Sequence, residues 1–153
     1  MRAGLIRIGL AWMVFASSIQ VAGAFTSLTV WGGNPQQLLS CLSIEEGAPF
    51  TLEFINSIYL APVRETFVYR AGEGISLIKV ESPSAGVFEY YGLEPDGSGR
   101  ALLSRSFKDI RIRSHDYENH RLIVSDRPLY FKGLIDDGEA VIIKVWTGER
   151  CPP

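Results

Sequence analysis

Short runs rich in β-branched and aromatic residues recur along this chain, and clusters of turn-forming residues separate them. Within the runs, apolar side chains alternate with polar ones, which is typical of strands with one buried face. After residue 24, no stretch repeats its apolar residues at the spacing of an α-helix. The pattern therefore predicts an all-β fold, an antiparallel β-sandwich or flattened barrel of about 9–10 strands.

The predicted strands are bounded by turns rich in Gly, Pro, Asp and Ser. They cover residues 27–31, 37–44, 50–57, 65–71, 75–82, 86–92, 108–114, 120–126, 129–133 and 140–146. The segment "EPDGSGR" (94–100) is predicted to be a loop. Because no repeat or linker interrupts the pattern, residues 25–153 are expected to form a single β-sandwich domain.

The N-terminus has the layout of a secretory signal peptide, which we expect to be helical. Arg2 and Arg7 provide a positive region, residues 8–16 are apolar, and an Ala-Gly-Ala sequence ends at Ala24. The layout predicts cleavage after Ala24 and a periplasmic location for the remainder. The alternative is an uncleaved membrane anchor formed by residues 8–24, with the domain facing the periplasm.

The charge balance argues against nucleic acid as a partner. The chain has 15 basic and 17 acidic residues, and two of the basic ones lie in the leader. Nucleic-acid binding requires a clustered basic surface. The locally basic segment 105–114 contains Asp109 and is followed by Asp116 and Glu118. This segment is therefore interpreted as a solvated strand face, and no nucleic-acid partner is expected.

The chain has two cysteines, Cys41 and Cys151. In an exported protein, an even pair of cysteines favours a disulfide. The bond would close a loop of about 110 residues and attach a chain end that would otherwise fray. The alternative is two unrelated thiols, and the sequence leaves both possibilities open.

Two polar residues, Asn56 and Glu65, occupy positions where the alternation calls for an apolar side chain. Both lie on faces otherwise occupied by large apolar residues: Phe50, Leu52 and Phe54 with Asn56, and Phe67 and Tyr69 with Glu65. A hairpin folded about residues 60 and 61, with Pro62 at the turn, would place Asn56 opposite Glu65. Leu52 would then face Tyr69, and Phe54 would face Phe67.

This polar pair at the rim of the core allows two interpretations. Asn56 and Glu65 could hydrogen-bond each other or nearby backbone amides, because an unpaired buried polar group costs about 1–3 kcal/mol. Alternatively, they could form a small polar binding site with Ser57 or Tyr59 nearby. The candidate binding residues are accordingly Asn56, Ser57, Pro62 and Glu65.

The same stretch carries a family resemblance. "FINSIYLAPVRETF" followed by "SPSAGVFEYYG" resembles the exported family named domain of unknown function 1850 (DUF1850). Residues 56–58 (Asn-Ser-Ile) stand at its His-Ser-Val motif, and residues 62–65 (Pro-Val-Arg-Glu) stand at Pro-Val-x-Glu. Residues 82–86 (Ser-Pro-Ser-Ala-Gly) stand at Ser-Phe-Gly-Ala-Gly. The resemblance spans roughly residues 27–147.

The resemblance implies a small exported β domain. Members of the family are typically encoded beside tripartite periplasmic (TRAP) transporters of the TAXI type, which import organic solutes with a periplasmic binding protein. It brings no established catalytic residues. Asn56 stands where the family has His, so the resemblance implies no proton-shuttling or metal-binding role at that position. Pro83-Ser84 stands where the family has Phe-Gly.

Other residue patterns suggest further chemistry only weakly. His115 and His120 flank Asp116 and Glu118, a combination that could hold a divalent metal, but the spacing matches no standard metal site. A polar turn between strands explains the segment better, and we expect no metal and no cofactor. Four aromatic residues could line a ligand groove or pack at the core: Trp31, Tyr90, Tyr91 and Trp146.

The sequence is best interpreted as a non-enzymatic periplasmic accessory or binding protein linked to a TRAP-type (TAXI) solute transport system. Its expected partners are transporter subunits, their solute-binding protein or a small organic solute, and no catalytic residue is assigned. The alternative is a small hydrolytic or metal-dependent enzyme using Glu65 and one of the histidines. An enzyme should place Glu65 in a cleft with a second titratable group within reach. A binding module should have an exposed apolar patch or a free strand edge near the 56–65 turn.

Overall fold

The structure is a computed structural model that describes residues 25–153. The signal peptide predicted for residues 1–24, like the alternative anchor, lies outside the described residues. Along the described part the elements are β1 (Phe25–Gly32), β2 (Gln37–Ser43), β3 (Pro49–Asn56), β4 (Ala61–Arg70), β5 (Gly74–Glu81), α1 (Ala85–Tyr91), β6 (Arg100–Phe107), β7 (Asp109–Arg113), β8 (Arg121–Val124), β9 (Arg127–Tyr130) and β10 (Ala140–Gly148). No helix in residues 25–153 has the length and apolar character needed to cross a membrane.

The strands form two antiparallel sheets. The small sheet has four strands in the order β2-β1-β10-β7, and the large sheet has six in the order β6-β5-β4-β3-β8-β9. Neither sheet closes into a barrel, so the prediction of an all-β antiparallel sandwich is confirmed and the flattened barrel is not what forms. Buried apolar residues of both sheets belong to one cluster, which fills the space between them.

Strict alternation explains the inner face of the small sheet. Val30 of β1 lies opposite Ile143 of β10, and both belong to the core cluster together with Leu28 and Val141. Burying side chains of this size contributes about 1.5–3 kcal/mol each. β-branched residues suit this position because their restricted rotamers pack well on a pleated surface.

The strand predicted at residues 86–92 is wrong, because this segment forms the helix α1. Ser84 has an extended backbone at the start of the helix, and Gly92 ends it in the left-handed conformation with φ 67°. Only Val87 and Phe88 are buried, so the helix displays little apolar periodicity. The aromatic residues of this segment favour a strand by intrinsic propensity, but its tertiary contacts stabilise a helix.

The large sheet also contains a strand that the sequence did not predict. Residues 100–107 form β6, although 94–100 was expected to be a loop and 101–107 carried no assignment. β6 is an edge strand whose side chains are mostly exposed, so it lacks the apolar alternation that reveals interior strands. In the same sheet, β4 begins at Ala61 and not at Glu65.

The predicted register of the β3–β4 hairpin is wrong. Asn56 lies opposite Ala61 and Leu52 lies opposite Glu65, so Asn56 and Glu65 do not face each other. The cause is a side-chain cap: Asn56 Oδ1 accepts hydrogen bonds from the backbone N–H groups of Ile58 and Tyr59, each at 3.0 Å. This turn closes the hairpin before Ala61. Asn56 and Glu65 still share the inner face, about 13 Å apart along the strands.

Pro62, expected at the turn, lies within β4. It pairs with Ile55 of β3, while the pairing of β4 with β5 starts only at Arg64. Pro62 therefore occupies a part of β4 with a neighbouring strand on one side only, where a missing N–H is tolerated. Its side chain is exposed, on the opposite face of the sheet from Glu65.

The two cysteines form a disulfide in the structure. Cys41 lies in β2, at the edge of the small sheet, and Cys151 follows the end of β10. Their Cα atoms are 6.2 Å apart and 110 residues separate them in the chain. The bond thus connects two elements that flank β1, and it ties down the end of the chain.

Candidate functional site

A cleft of about 460 Å³ opens between the inner face of the large sheet, the helix α1 and the edge strand β7. We call it the Glu65 cleft. The residues that matter most for its chemistry are Phe54, Glu65, Phe67, Tyr91, Phe107 and His120. The volume lies at the lower end of the range for small-molecule sites, so the cleft is of a size for a small organic compound.

Glu65 is a partly buried carboxylate on the inner face of β4. Its Oε1 accepts a hydrogen bond of 2.6 Å from the hydroxyl of Tyr91. Burial raises the pKa of Glu65 above its ordinary value, although Tyr91 and the charge of Arg105 act in the opposite direction. Burial and the neighbouring Glu65 also raise the pKa of Tyr91, so the phenol stays protonated and acts as the donor.

The helix α1 is what brings Tyr91 to Glu65. Val87 and Phe88 anchor the helix in the core, and Tyr91 is its last residue. The N–H groups of Gly92 and Leu93 donate to carbonyls in the last turn, which fixes the helix end beside the cleft. The misassigned segment therefore supplies the hydrogen-bond partner of the candidate residue Glu65.

His120 lies in the same cleft immediately before β8. It is 8% exposed, and its ring stacks on Phe54 with centroids 5.7 Å apart and meets the Tyr117 ring edge-on at 5.2 Å. Its Nδ1 is buried and has no hydrogen-bond partner among residues 25–153. Burial lowers the pKa of His120, an effect that the charge of Asp116 only partly offsets, so the imidazole is neutral at pH 7.

The other predicted site residues are divided between two faces of the sheet. Asn56 and Ser57 line the Glu65 cleft, but Asn56 uses its carbonyl oxygen to cap the turn and Ser57 is exposed. Pro62 lies on the outer face and lines a different hollow. The four candidates therefore do not form one cluster; the cleft brings together three of them.

The histidine-rich turn does not assemble as a site. His115 is exposed and does not line the Glu65 cleft, whereas His120 does. Within residues 25–153 there is no group of three or more His, Cys, Asp and Glu side chains placed to hold a metal ion. Of the four aromatic residues considered for a ligand groove, Tyr90 and Tyr91 line the cleft and Trp31 and Trp146 do not.

The turn between β3 and β4 exposes an unusual amount of apolar surface. Ile58 is 67% exposed and Leu60 is 80% exposed, and Ile55 and Tyr59 are partly exposed beside them. We call residues 55–60 the apolar turn. This is the exposed apolar patch expected of a binding module. Short free edges accompany it: β3 pairs with β8 only from Phe50 to Glu53 and β4 pairs with β5 only from Arg64 onward, so residues 54–56 and 61–63 have a strand neighbour on one side only.

The apolar turn rests on α1 through a close contact between Tyr59 and Gly86. A Cβ atom added at Gly86 would lie 2.3 Å from a ring carbon of Tyr59, so this position accepts no side chain without movement. The contact joins the two segments that carry the family resemblance. A small residue at 86 therefore has a structural reason, since it allows the aromatic ring to lie against the helix backbone.

Replacing Gly86 by Val should displace Tyr59 and loosen the apolar turn. Overpacking of this kind costs about 1–3 kcal/mol of stability. Urea unfolding of the variant measures the loss. Gly97→Val is the matched control, because a Cβ at Gly97 meets no atom within 4 Å and its stability should be nearly unchanged. Equal stabilities of the two variants would contradict the Tyr59–Gly86 contact.

The outer face of the large sheet carries a second, wider hollow of about 1070 Å³. A row of cross-strand neighbours crosses all six strands there, and its five charged residues alternate in sign: Tyr130, Arg121, Glu53, Arg64, Glu81 and Arg100. The Glu53 carboxylate accepts from Arg64 Nε at 2.7 Å and from Arg121 Nε at 2.5 Å. Burial raises the pKa of Glu53, but the two arginines outweigh it and the pKa is lowered overall.

The charges of this row have partners of opposite sign, some within the row and some beside it. Glu53 is neutralised by two guanidinium groups, Glu81 lies 2.9 Å from Lys79 Nζ, and Arg100 pairs with Asp96. Paired charges on a sheet surface stabilise strand register more than they attract a charged ligand. The hollow is the larger of the two, but its carboxylates form salt bridges, whereas Glu65 in the cleft forms none with residues 25–153.

The chain matches no known family model, no curated protein and no solved structure.

Proposed function

We propose that this chain is a non-enzymatic periplasmic accessory or binding protein of a TRAP-type (TAXI) solute transport system. The observation that carries the proposal is the apolar turn, with Ile58 67% and Leu60 80% exposed. The resemblance of residues 54–67 and 82–92 to exported proteins encoded beside such transporters supplies the biological setting. In this proposal the turn docks on a component of the transport system, its solute-binding protein in the first place.

Docking through the turn is favourable because the turn is already ordered. Asn56 caps it, and Tyr59 rests on Gly86, so little conformational freedom is lost on binding. Burying an exposed Leu or Ile side chain contributes about 1.5–3 kcal/mol, which makes Ile58 and Leu60 the natural anchors. Recognition would proceed through these side chains, and backbone groups of residues 54–56 and 61–63, which have a strand neighbour on one side only, are available for further hydrogen bonds.

One observation favours the alternative of a small hydrolytic enzyme. Glu65 and His120 line the same cleft, and Tyr91 is a titratable group in direct contact with Glu65. Among the described residues, however, no Ser or Cys side chain hydrogen-bonds to either Glu65 or His120, which is the arrangement that activates a nucleophile. Turnover of an ester that disappears in both Glu65→Gln and His120→Asn would favour the enzyme.

A photo-crosslinking experiment tests the docking proposal. A photoreactive phenylalanine analogue replaces Leu60 in the exported chain, and in a control it replaces Leu102, which is 81% exposed on the outer face of β6. We expect the probe at position 60 to give adducts with a component of the transport system, identified by mass spectrometry. The probe at position 102 should give few.

The outcome that contradicts the proposal is equally clear. Absence of transporter adducts from position 60, or equal adducts from both positions, would remove the turn as a docking surface. In a direct binding assay, Leu60→Asp should weaken the complex at least about tenfold, since burying a charge at an apolar contact costs more than 1.4 kcal/mol. Leu102→Asp should leave the affinity unchanged.

A further inference from the structure

We propose that the Glu65 cleft binds a small organic cation, with an ammonium group seated against the Glu65 carboxylate and the aromatic walls of the cleft. This inference goes beyond the proposed docking function, because it concerns a ligand site inside the sandwich and not the apolar turn. Two features of the cleft carry it: a carboxylate that forms no salt bridge and walls made of aromatic side chains.

The carboxylate lacks a cationic partner. Glu65 Oε1 accepts from the neutral Tyr91 hydroxyl at 2.6 Å, and Oε2 accepts no hydrogen bond from residues 25–153. Arg105, whose charge acts on Glu65 without forming a salt bridge with it, donates from Nη2 to the carbonyl of Tyr91 at 3.4 Å. Glu53, in contrast, forms salt bridges with two arginines. A buried carboxylate without an ion-pair partner is costly, and a ligand cation would supply the missing charge.

The walls suit a cation as well as a hydrocarbon. Phe54, Phe67, Phe107 and Tyr91 line the cleft, and aromatic faces attract ammonium groups through their quadrupole. Phe67 and Phe107 meet edge-to-face with centroids 6.4 Å apart, so they present two differently oriented rings. Such walls favour alkylammonium or quaternary ammonium ligands over carboxylates, which would be repelled by Glu65.

His120 is the second polar group of the cleft. It is nine-tenths buried, and its Nδ1 has no partner in the described part of the chain. Burial lowers the pKa of His120, so its neutral ring does not repel a cation, but Nδ1 is itself buried and is not open to a ligand in the cleft.

Two arginines also line the cleft, and each has a hydrogen-bond partner of its own. Arg111 pairs with Asp109 at 3.4 Å, and Arg113 Nε donates to the carbonyl of Gly138 at 2.8 Å. Both arginines are exposed on β7, at the side of the cleft opposite β4. Solvent screens these two exposed guanidinium groups more than the partly buried Glu65 carboxylate, so Glu65 contributes the stronger field in the inner part of the cleft.

The test is a titration of the exported, disulfide-bonded chain followed by nuclear magnetic resonance. The probes are n-butylammonium and tetramethylammonium, with butyrate and n-butanol as size-matched anionic and neutral controls. We expect the two ammonium ions to shift resonances of residues in the cleft, with dissociation constants on the order of 1 mM. Butyrate should give no saturable shift, and butanol should bind at least about tenfold more weakly than butylammonium.

Glu65→Gln provides the variant arm. Glutamine keeps the shape and can still accept the Tyr91 hydrogen bond, while it removes the charge. Ammonium affinity should fall at least about tenfold. Glu73→Gln is the control, because Glu73 is an exposed carboxylate in the turn after β4, and it should bind as the parent chain does.

Three results would overturn the inference: no binding of either ammonium ion, butyrate binding as tightly as butylammonium, or undiminished binding by Glu65→Gln. The first two are measured on the unmodified chain, so they do not depend on whether a variant folds. A failure here leaves the crosslinking of position 60 unaffected. The two proposals can therefore fail separately.

Discussion

Replacement of both Cys41 and Cys151 by Ser should lower the free energy of unfolding by about 4–5 kcal/mol, according to the loop-entropy treatment of disulfides. The bond closes a loop with a sequence separation of 110 residues, so breaking it greatly enlarges the unfolded ensemble. Since small domains are stable by about 5–15 kcal/mol, the loss removes a large part of the total.

Urea unfolding measures this effect directly. The Ser variant should unfold at a lower midpoint and with a larger m-value, because its unfolded chain exposes more surface without the cross-link. Reduction of the parent chain with a thiol provides the matched control and should reproduce the midpoint of the variant. A loss of less than about 1 kcal/mol would contradict the expectation that the bond constrains the unfolded chain.

The position of the bond adds a local reason for its effect. Cys41 lies in the edge strand β2, which pairs only with β1, and Cys151 lies in the segment that follows β10, the strand on the other side of β1. An edge strand has hydrogen bonds on one side only and opens more readily than an interior strand. The disulfide therefore links β2, an edge strand of the small sheet, to the end of the chain.

Alternation along the interior strands was enough to predict the sandwich. Phe50 and Leu52 lie two residues apart on β3, Phe67 lies opposite Phe50 on β4, and burial of one face leaves a strand little choice of which side chains point inward. For the same reason the shared inward face of Asn56 and Glu65 could be predicted from their parity. Their separation could not, because it depends on the Asn56 turn, a single side-chain contact that alternation does not encode.

The donor to Glu65 was missed for a different reason. Tyr91 belongs to a helix of seven residues with two buried side chains, too short to display a helical period. Pro83 and Ser84 before the segment and Gly92 after it are the signals that favour a short helix. These signals are consistent with a helix that ends at Tyr91. They do not predict the hydrogen bond between Tyr91 and Glu65, because that contact is tertiary.

The charged row on the outer face depends on pairings that are distant in sequence. Glu53 of β3 meets Arg121 of β8, 68 residues later in the chain. No local pattern specifies which strands become neighbours, and four other strands and a helix lie between β3 and β8 in the sequence. Charged residues alternating with apolar ones could be recognised as a solvated face, but their mutual pairing requires the topology.

Tyr117→Ala should cost about 3–5 kcal/mol, the second large effect that we expect, since truncation of a buried aromatic residue leaves a cavity. Tyr117 is fully buried, and its hydroxyl donates to the carbonyl of Glu139 at 2.6 Å, on the side of the small sheet. Its ring packs edge-on against His120 and Phe131, on the side of the large sheet. The residue thus connects the two sheets, and its loss should also release His120.

Tyr117→Phe separates the two contributions. It keeps the ring contacts with His120 and Phe131 and leaves the carbonyl of Glu139 without its donor, at a cost of about 1–3 kcal/mol. Urea unfolding should therefore rank the parent chain above Tyr117→Phe and Tyr117→Phe above Tyr117→Ala. The resonances of His120 should move strongly only in the Ala variant, because only that variant removes the ring. Equal losses in the two variants would mean that the hydroxyl, and not the packing of the ring, connects the sheets.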